Sequence, residues 1–244
     1  MCGIFGVIGA KTPVQDVLEG LGRLEYRGYD SAGVATVSNG AIAMTRSMGK
    51  LQSLRDKLSS TPLPDSSPIA IGHTRWATHG EPSETNAHPH QGPDCAVVHN
   101  GIIENHASLR ASLKEEGYEF LSETDTEVMV HLIHKLRKQH TTLLASVQAA
   151  VKQFEGAFGT VVFDKANDNE IIVARSGSPL VIGLGLGENF IASDQLALLP
   201  VTRSFIFLEE GDVARITRDT VEIFDENGDA VEREIVESNI TQDA

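Results

Sequence analysis

The sequence predicts an α+β fold with layered sheets, and two observations lead to this prediction. Apolar residues with helical spacing are concentrated in the middle of the chain, at 109–116, 124–136 and 143–151. After residue 157 the chain changes to short apolar runs of β type, separated by turn residues. Helices grouped inside an otherwise β-rich chain are typical of the α+β class, in which helices cover the faces of antiparallel sheets.

Strands and helices alternate in the first part of the chain. A short apolar run at 3–9 predicts a buried strand, and apolar residues spaced three and four apart after Pro13 predict a helix over 13–25. Asn39-Gly40 lies between two apolar runs and predicts a β-hairpin, because this pair favours a two-residue turn. A weaker amphipathic pattern predicts a second helix over 51–59.

The middle of the chain combines two strands with a long polar segment. Apolar runs predict strands over 69–74 and 95–99, and the polar residues 75–94 between them predict a long loop. Thr124 and Glu127 have the spacing of a capping box, which predicts the start of a helix. The later β-type runs are 157–163, 170–175, 180–184, 189–193, 204–208, 212–217 and 221–224.

Composition and charge restrict the classes of function. The 244 residues include 20 Lys and Arg against 34 Asp and Glu, a net charge of −14 at pH 7. Nucleic acid and anionic lipid both require a positive surface, so neither is an expected partner. No apolar run reaches the ~20 residues of a membrane-spanning helix. No secretory signal precedes the first strand, and two cysteines cannot form a disulfide framework. We therefore expect a cytoplasmic protein.

Two roles are open to Cys2. A cysteine in an apolar strand is commonly a small core residue. Its position after Met1 allows another role, because removal of Met1 leaves a thiol and a free α-amine on one residue. This amine titrates near ~7.7–8.0 and accepts a proton from an adjacent nucleophile at neutral pH. Cys95 has no local activator, and we expect it to be inert packing.

Four of the nine histidines lie between His73 and His90. A metal site requires ligands at helical or zinc-knuckle spacings, and His88-Pro-His90 has neither; no Cys or HExxH motif accompanies it. A long loop of polar and aromatic residues is typical of a ligand-binding lid, and Arg75 offers a planar guanidinium for a carboxylate. We expect no metal and no cofactor.

Three further motifs each allow a structural and a functional interpretation. Asn100-Gly101 alone predicts a turn, and the alternative is an oxyanion site formed by the Asn100 amide and the Gly101 N–H. Asp125 alone predicts a carboxylate in the first turn of a helix. The run from Gly183 to Gly187 lacks a glycine at 188, which excludes a dinucleotide-binding loop there.

A series of spaced motifs covers essentially the whole chain. After Met1-Cys2-Gly-Ile the motifs are LEYRGYDSAG (24–33), HTRWATHGEPSE (73–84), NAHPH (86–90), VHNGIIENH (98–106), SETDTEV (122–128), ARSGSPLVIGLG (174–185) and SDQLALLPVTRSFIFLEEGD (193–212). Together they resemble the class II glutamine amidotransferases. The resemblance implies an N-terminal-nucleophile hydrolase fold, a four-layer αββα sandwich of two mainly antiparallel sheets. It also implies hydrolysis of L-glutamine to glutamate and ammonia through a thioester on the N-terminal cysteine.

The same resemblance implies a role for each residue that matches a family motif. Cys2 is similar to the nucleophile once Met1 is gone, and Asn100 and Gly101 resemble the oxyanion pair. Arg75 matches the residue that holds the α-carboxylate of glutamine, and Asp125 the residue that holds its α-ammonium. The residues that match the loop closing over glutamine, or others lining the site, are Trp76 (which resembles the gate of the ammonia passage), Thr78, His79, Arg27 and His88.

The resemblance further implies a longer enzyme. We expect residues 1–218 to form the glutaminase domain, and 219–244 to form its final strand and the start of a linker to a C-terminal sugar-phosphate isomerase domain. In that enzyme, expected to be a homodimer, ammonia would convert fructose 6-phosphate to glucosamine 6-phosphate. Another branch of the family remains open, such as a phosphoribosyl pyrophosphate, asparagine or glutamate synthase amidotransferase.

Retention of Met1 would favour a third interpretation, a catalytically silent module of the same fold. If a chain that keeps Met1 were nevertheless active, the reaction would require a side-chain base. The candidates for that base are His73, His79, His88 and His99.

Overall fold

A computed structural model describes residues 2–239 and confirms the α+β class. The α-helices in this range are α1 (Pro13–Gly22), α2 (Leu51–Ser60), α3 (His106–Glu115), α4 (Thr126–Arg137) and α5 (Leu143–Val151). Two short 3-10 turns lie at Glu25–Arg27 and Gln195–Ala197. The longest of these helices, α4, has 12 residues, and no helix of the described range is long and apolar enough to cross a membrane.

The strands form two antiparallel sheets. The strands are β1 (Gly3–Ile8), β2 (Ser31–Ser38), β3 (Ala41–Met48), β4 (Ile69–Arg75), β5 (His90–Gln91), β6 (Cys95–Ile103), β7 (Gly156–Asp164), β8 (Asn167–Ser176), β9 (Val181–Leu184), β10 (Asn189–Ala192), β11 (Ser204–Phe207), β12 (Val213–Ile216), β13 (Val221–Phe224), β14 (Ala230–Val231) and β15 (Val236–Glu237). Sheet A has the order β15-β11-β9-β10-β1-β4-β2-β3, and sheet B the order β14-β13-β12-β8-β7-β6-β5. The Asn39-Gly40 hairpin joins β2 to β3, as the sequence predicts.

Three apolar layers hold the two sheets and the helices together. The inner faces of the sheets pack against each other through residues such as Ile4 and Ile71 of sheet A and Val98 and Phe163 of sheet B. Helices α1 and α2 cover the outer face of sheet A, while α4 and α5 pack on the outer face of sheet B and α3 packs on α4. This is a four-layer αββα sandwich, which confirms the predicted architecture.

Asn100-Gly101 does not form the turn that the pair predicts in isolation. Strand β6 continues through both residues to Ile103, and they pair with Gly159 and Phe158 of β7. The neighbouring strand supplies hydrogen-bond partners that a local reading cannot include, so the pairing overrides the turn preference. Gly101 adopts φ +119, a conformation that favours glycine, and stays within the strand.

The capping box predicted at Thr124 and Glu127 is also wrong. The N-cap of α4 is Asp125, and Thr124 Oγ1 instead lies 2.9 Å from His90 Nε2. The Glu127 carboxylate accepts hydrogen bonds from the backbone N–H groups of Leu121 and Ser122. The side chains of Thr124 and Glu127 thus bond to a buried histidine and to the preceding turn instead of to each other's backbone N–H groups.

The segment after residue 219 forms more structure than the single strand expected there. Strand β13 pairs with β12, β14 pairs with β13, and β15 crosses to sheet A and pairs with β11. The two-residue strands are too short to give an alternating pattern in the sequence. The expected linker lies partly in residues 240–244, outside the described residues, and stays a prediction.

Helix α1 offers a matched test of how it packs on β1. A Cβ at Gly20 would lie 2.3 Å from the Phe5 ring, whereas a Cβ at Gly22 would lie 3.8 Å from the side chains of Arg55 and Leu51. We expect Gly20→Ala to lower the free energy of unfolding by roughly 1–3 kcal/mol through overpacking. Gly22→Ala should leave it unchanged or raise it by up to about 1 kcal/mol, because alanine favours helix. Urea unfolding measures both; equal effects would contradict this packing.

Candidate active site

The Cys2 thiol lies at the start of β1, next to the end of β4. Gly3 pairs with Thr74, which brings Trp76 beside Cys2, and the Trp76 N–H donates to Cys2 Sγ at 3.3 Å. Burial raises the pKa of the Cys2 thiol, and the Trp76 N–H opposes this shift only in part. Sγ therefore needs a base to become the thiolate that acts as a nucleophile.

Asp30, which the sequence analysis did not single out, holds the backbone on both sides of Trp76. The Asp30 N–H donates to Arg75 O at 2.7 Å, and the Ala77 N–H donates to Asp30 Oδ2 at 2.8 Å. These two bonds fix the peptide groups that flank Trp76. The Trp76 N–H is thereby directed at the sulfur of Cys2.

Asn100 approaches Cys2 from the opposite sheet. Its Nδ2 donates to Cys2 O at 3.2 Å, and its Oδ1 lies 2.9 Å from His73 Nε2. The next residue, Gly101, has no room for a side chain, because a Cβ there would lie 2.2 Å from Ala157 O. The structure thus brings the Asn100 amide to Cys2, and the position next to Asn100 has room only for glycine.

Arg27 contacts the backbone of Cys2. Its Nη1 donates to Cys2 O at 3.3 Å, so this carbonyl receives hydrogen bonds from both Arg27 and Asn100. Its Nη2 forms a 2.7 Å ion pair with Asp194, which lies two residues after the end of β10. Sequence reasoning missed Asp194, since 167 positions separate it from Arg27 and no local pattern connects them.

Arg75 supports the loop that follows β4. Its guanidinium donates to the carbonyl oxygens of His79, Gly80 and Glu81, and the residue is only 3% exposed. On this loop Trp76 is 53% exposed, and Thr78 is exposed as well. The His79 ring lies 5.0 Å from the ring of His106 at the start of α3. Among these loop residues, Trp76 is the one with a hydrogen bond to the Cys2 sulfur.

Asp125 directly precedes α4 in the chain and contacts Ile103, the last residue of β6. Its Oδ2 accepts a 2.8 Å hydrogen bond from the Ile103 N–H, and the residue is 5% exposed. The contact joins the turn before α4 to the strand that carries Asn100 and Gly101. Asp125 is therefore held beside the expected oxyanion pair, although its carboxylate does not contact Cys2.

His88 lies behind the site. Its ring stacks on His73 at 4.1 Å and contacts His90 edge-on at 4.7 Å, and these three residues are buried together with His99. Burial lowers the pKa of His73 and of His90 to about 3, and lowers those of His88 and His99. All four imidazoles are neutral at pH 7. Within residues 2–239, no histidine lies within hydrogen-bond distance of Cys2 Sγ, which disfavours a histidine base.

The comparisons with known proteins agree with this fold. The chain belongs to the glutamine amidotransferase domain family, whose model matches residues 73–200. Along its whole length it is 63% identical to the glutamine–fructose-6-phosphate aminotransferase (isomerizing) of Shewanella oneidensis and 58% identical to that of Escherichia coli K12. The chain spans about 40% of the length of these curated relatives.

Solved structures show the same architecture. The Bacillus subtilis glutamine phosphoribosylpyrophosphate amidotransferase superposes with a TM-score of 0.79 at 25% identity, over 94% of this chain and 50% of that one. A glutamine aminotransferase class-II domain protein from Silicibacter pomeroyi gives 0.63 over 92% of this chain and 99% of its own, at 16% identity, and supports the fold alone. The chain therefore has the fold of the N-terminal-nucleophile amidotransferases.

The turn that positions Asp125 depends on the Glu127 carboxylate. Burial raises the pKa of Glu127, but hydrogen bonds from His131, Ser122 and Leu121 outweigh it and lower the pKa to about 2. A carboxyl whose pKa is lowered by folding stabilises the fold above its unfolded pKa and loses that contribution as pH falls toward the folded value. Relative to Glu127→Gln, the wild type should be more stable by on the order of 3 kcal/mol at pH 7.

This stability difference should shrink between pH ~4.5 and pH ~2. Denaturant unfolding of both proteins across this range measures it. Glu119→Gln removes the same charge from an exposed position and serves as the control. A difference that stays constant down to pH ~2 would show that the carboxylate bonds do not stabilise the turn.

Proposed function

We propose that the chain hydrolyses L-glutamine to glutamate and ammonia, with Cys2 as the nucleophile after removal of Met1. The observation that carries this proposal is the environment of Cys2, where the Trp76 N–H lies 3.3 Å from Sγ and the Asn100 amide lies beside the same residue. Membership of the glutamine amidotransferase family supports glutamine as the substrate. Met1 lies outside the described residues, so its removal is part of the proposal.

The first half of the reaction forms a thioester. The α-amine of processed Cys2 takes the thiol proton, and Sγ attacks the side-chain amide carbon of glutamine. The S–C bond forms as the carbonyl electrons move to the oxygen, which accepts hydrogen bonds from Asn100 Nδ2 and the Gly101 N–H. Each such donor lowers the barrier by on the order of 3 kcal/mol. The protonated amine then gives its proton to the amide nitrogen, the C–N bond breaks and ammonia leaves.

The second half releases glutamate. Water loses a proton to the same amine and attacks the γ-glutamyl thioester. The C–S bond breaks, and the sulfur recovers its proton. The protons of the cycle pass through the amine, and no atom changes its oxidation state. We therefore propose no cofactor and no metal.

The ends of the glutamine molecule require groups of opposite charge. Arg75, at the end of β4, supplies a cation for the α-carboxylate, and Asp125, before α4, supplies an anion for the α-ammonium. Trp76, Thr78 and His79 would cover the substrate from the loop, with Trp76 at the exit for ammonia. Arg27 and His88 would complete the wall, Arg27 through its bond to the Cys2 carbonyl and His88 through its stacking on His73.

We also propose that the chain is the glutaminase part of a longer enzyme that aminates fructose 6-phosphate. The names of its relatives and their length, of which this chain spans about 40%, support this. Residues 1–218 would then form the glutaminase domain, with 219–244 leading to a C-terminal sugar-phosphate isomerase domain in a homodimer. The product would be glucosamine 6-phosphate.

A second branch of the family is the main alternative. The phosphoribosylpyrophosphate amidotransferase shares the fold at a TM-score of 0.79, but its identity of 25% is far below the 63% of the aminotransferase relative. Specificity for the acceptor lies outside this chain in either case. Assay of the full-length protein with each acceptor distinguishes the two branches.

The nucleophile is tested by substitution of each cysteine. Cys2→Ala should reduce glutamate release to background while the melting temperature stays nearly unchanged, because the thiol is only partly buried. Cys95→Ala is the matched control: Cys95 is fully buried, so this variant should lose stability and keep most of its activity. Activity that survives in Cys2→Ala would rule out the thioester route.

Intact mass spectrometry of the same samples tests the role of the amine. A retained Met1 converts the α-amine of Cys2 to an amide, which accepts no proton at neutral pH. Glutamate release should therefore rise in proportion to the processed fraction. Full turnover by a homogeneous sample that retains Met1 would require a side-chain base instead.

Recognition of the α-ammonium is tested at Asp125. Asp125→Asn keeps an acceptor for the Ile103 N–H and removes the charge, so the fold should persist while KM for glutamine rises by about tenfold or more. Steady-state glutaminase assays measure KM and kcat. Glu115→Gln, at an exposed position, controls for net charge. An unaltered KM in Asp125→Asn would place the ammonium elsewhere.

A further inference from the structure

His73 connects the two sheets directly behind the nucleophile. It lies on β4 of sheet A and is fully buried. Its Nε2 reaches two oxygen atoms of β6 in sheet B, His99 O at 3.0 Å and Asn100 Oδ1 at 2.9 Å. The residue contacts the Asn100 amide on the side opposite Cys2.

Two main-chain carbonyls determine how these polar groups are oriented. Cys2 O only accepts hydrogen bonds, so the end of the Asn100 amide that faces it must be the NH₂ group. His99 O likewise only accepts, so His73 Nε2 must carry the proton. The one hydrogen on His73 Nε2 is then shared between His99 O and Asn100 Oδ1, so each of these contacts pairs a donor with an acceptor.

A second histidine fixes the ring of His73. The His88 ring is stacked on it at 4.1 Å with an interplanar angle of 12°. His88 Nδ1 accepts a 3.3 Å hydrogen bond from the His99 N–H, while His99 O accepts from His73. The stacked pair therefore holds His99, the residue before Asn100, at both its backbone N–H and its carbonyl.

We propose that His73 is a positioning residue for glutamine hydrolysis, which holds the Asn100 amide with its N–H groups directed at Cys2 and at the carbonyl under attack. The inference rests on the proposed function, in which Asn100 stabilises the oxyanion. Without His73, only the 3.2 Å hydrogen bond to Cys2 O still holds the amide, and its two ends, which have nearly the same size, exchange more readily by rotation. A rotated amide presents its oxygen to the oxyanion, and the partial negative charge of this oxygen repels the oxyanion.

Kinetics of two substitutions test this role in the processed protein. His73→Phe keeps an aromatic ring and removes the donor, so kcat should fall on the order of 10²-fold, with KM within about twofold. His73→Gln places an N–H donor at a similar reach and should restore most of kcat. In an Asn100→Ala background, His73→Phe should cause little further loss, since its effect passes through Asn100.

Thr160→Val controls for stability. Thr160 is buried in β7 opposite His99 and donates to Val98 O at 2.8 Å, with no bond to Asn100. This variant should lose stability and keep kcat. An undiminished kcat in His73→Phe, or losses that add in full to that of Asn100→Ala, would overturn the proposal. If His73→Phe does not fold, His73→Asn replaces it, because its shorter amide does not reach Asn100.

A measurement independent of turnover separates this inference from the proposed function. ¹⁵N NMR of the wild-type protein should show His73 as the neutral Nε2–H tautomer, and His73→Phe should shift the Asn100 side-chain amide signals. An Nδ1–H tautomer would refute the positioning role even in an active enzyme. Absence of glutaminase activity in processed wild type, with the Nε2–H tautomer present, would refute the proposed function and leave the orientation of Asn100 established.

Discussion

The contact between the Cys2 carbonyl and the Asn100 amide is the constraint on which the site depends. Cys2 precedes β1 of sheet A, and Asn100 lies on β6 of sheet B. The proposed nucleophile and the proposed oxyanion donor thus belong to different sheets and are 98 positions apart in the sequence. Their separation is determined by how the sheets pack and not by the geometry of one loop. The 3.2 Å hydrogen bond between Asn100 and Cys2 forms only when the two sheets pack at the correct distance and offset.

Four histidines, His73, His88, His90 and His99, are buried at this end of the sandwich, and hydrogen bonds compensate for part of the cost of their burial. Among the described residues, His73 Nδ1 has no hydrogen-bond partner. His73 lies on the same face of β4 as Ile71, between the sheets, whereas His99 lies on the outer face of β6 with its Nδ1 2.9 Å from Thr126 Oγ1 of α4. Neutral imidazoles suit this position, because burying an imidazolium would cost several kcal/mol. Each ring can donate at one nitrogen and accept at the other, so the cluster can orient backbone and side-chain groups of both sheets.

The sequence predicts the elements of the fold whose signals are local. The β1 run and the Asn39-Gly40 hairpin have clear local patterns, and the helix over 143–151 agrees with α5. Asn100-Gly101 misleads because its β7 partner is more than fifty residues away in the chain. The capping box predicted at Thr124 is wrong for the same reason, because the Thr124 hydroxyl forms a hydrogen bond with His90, which is distant in the sequence.

The residues of the candidate site also fall into two groups, those that a sequence motif identifies and those that only contacts in space identify. Cys2 and Asn100 are found by motif and are brought together by the fold. Asp30, His73 and Asp194 act on the backbone or side chain of a neighbour in space, and nothing in their own surroundings in the sequence indicates this. A buried histidine in an otherwise apolar strand is the one signal that could have identified His73 as unusual.

The apolar filling between the sheets has a consequence for anyone who redesigns this protein for stability. Stacked sheets lie about 10 Å apart, and the side chains between them, such as Ile71, Val98 and Phe163, set that spacing. Close-packed interiors transmit a change of volume instead of absorbing it. Substitutions that enlarge or shrink these side chains therefore alter the distance between the Cys2 thiol and the Asn100 amide, although neither residue is itself changed. Designs should conserve the summed side-chain volume of this layer and seek their gains on the two helical faces.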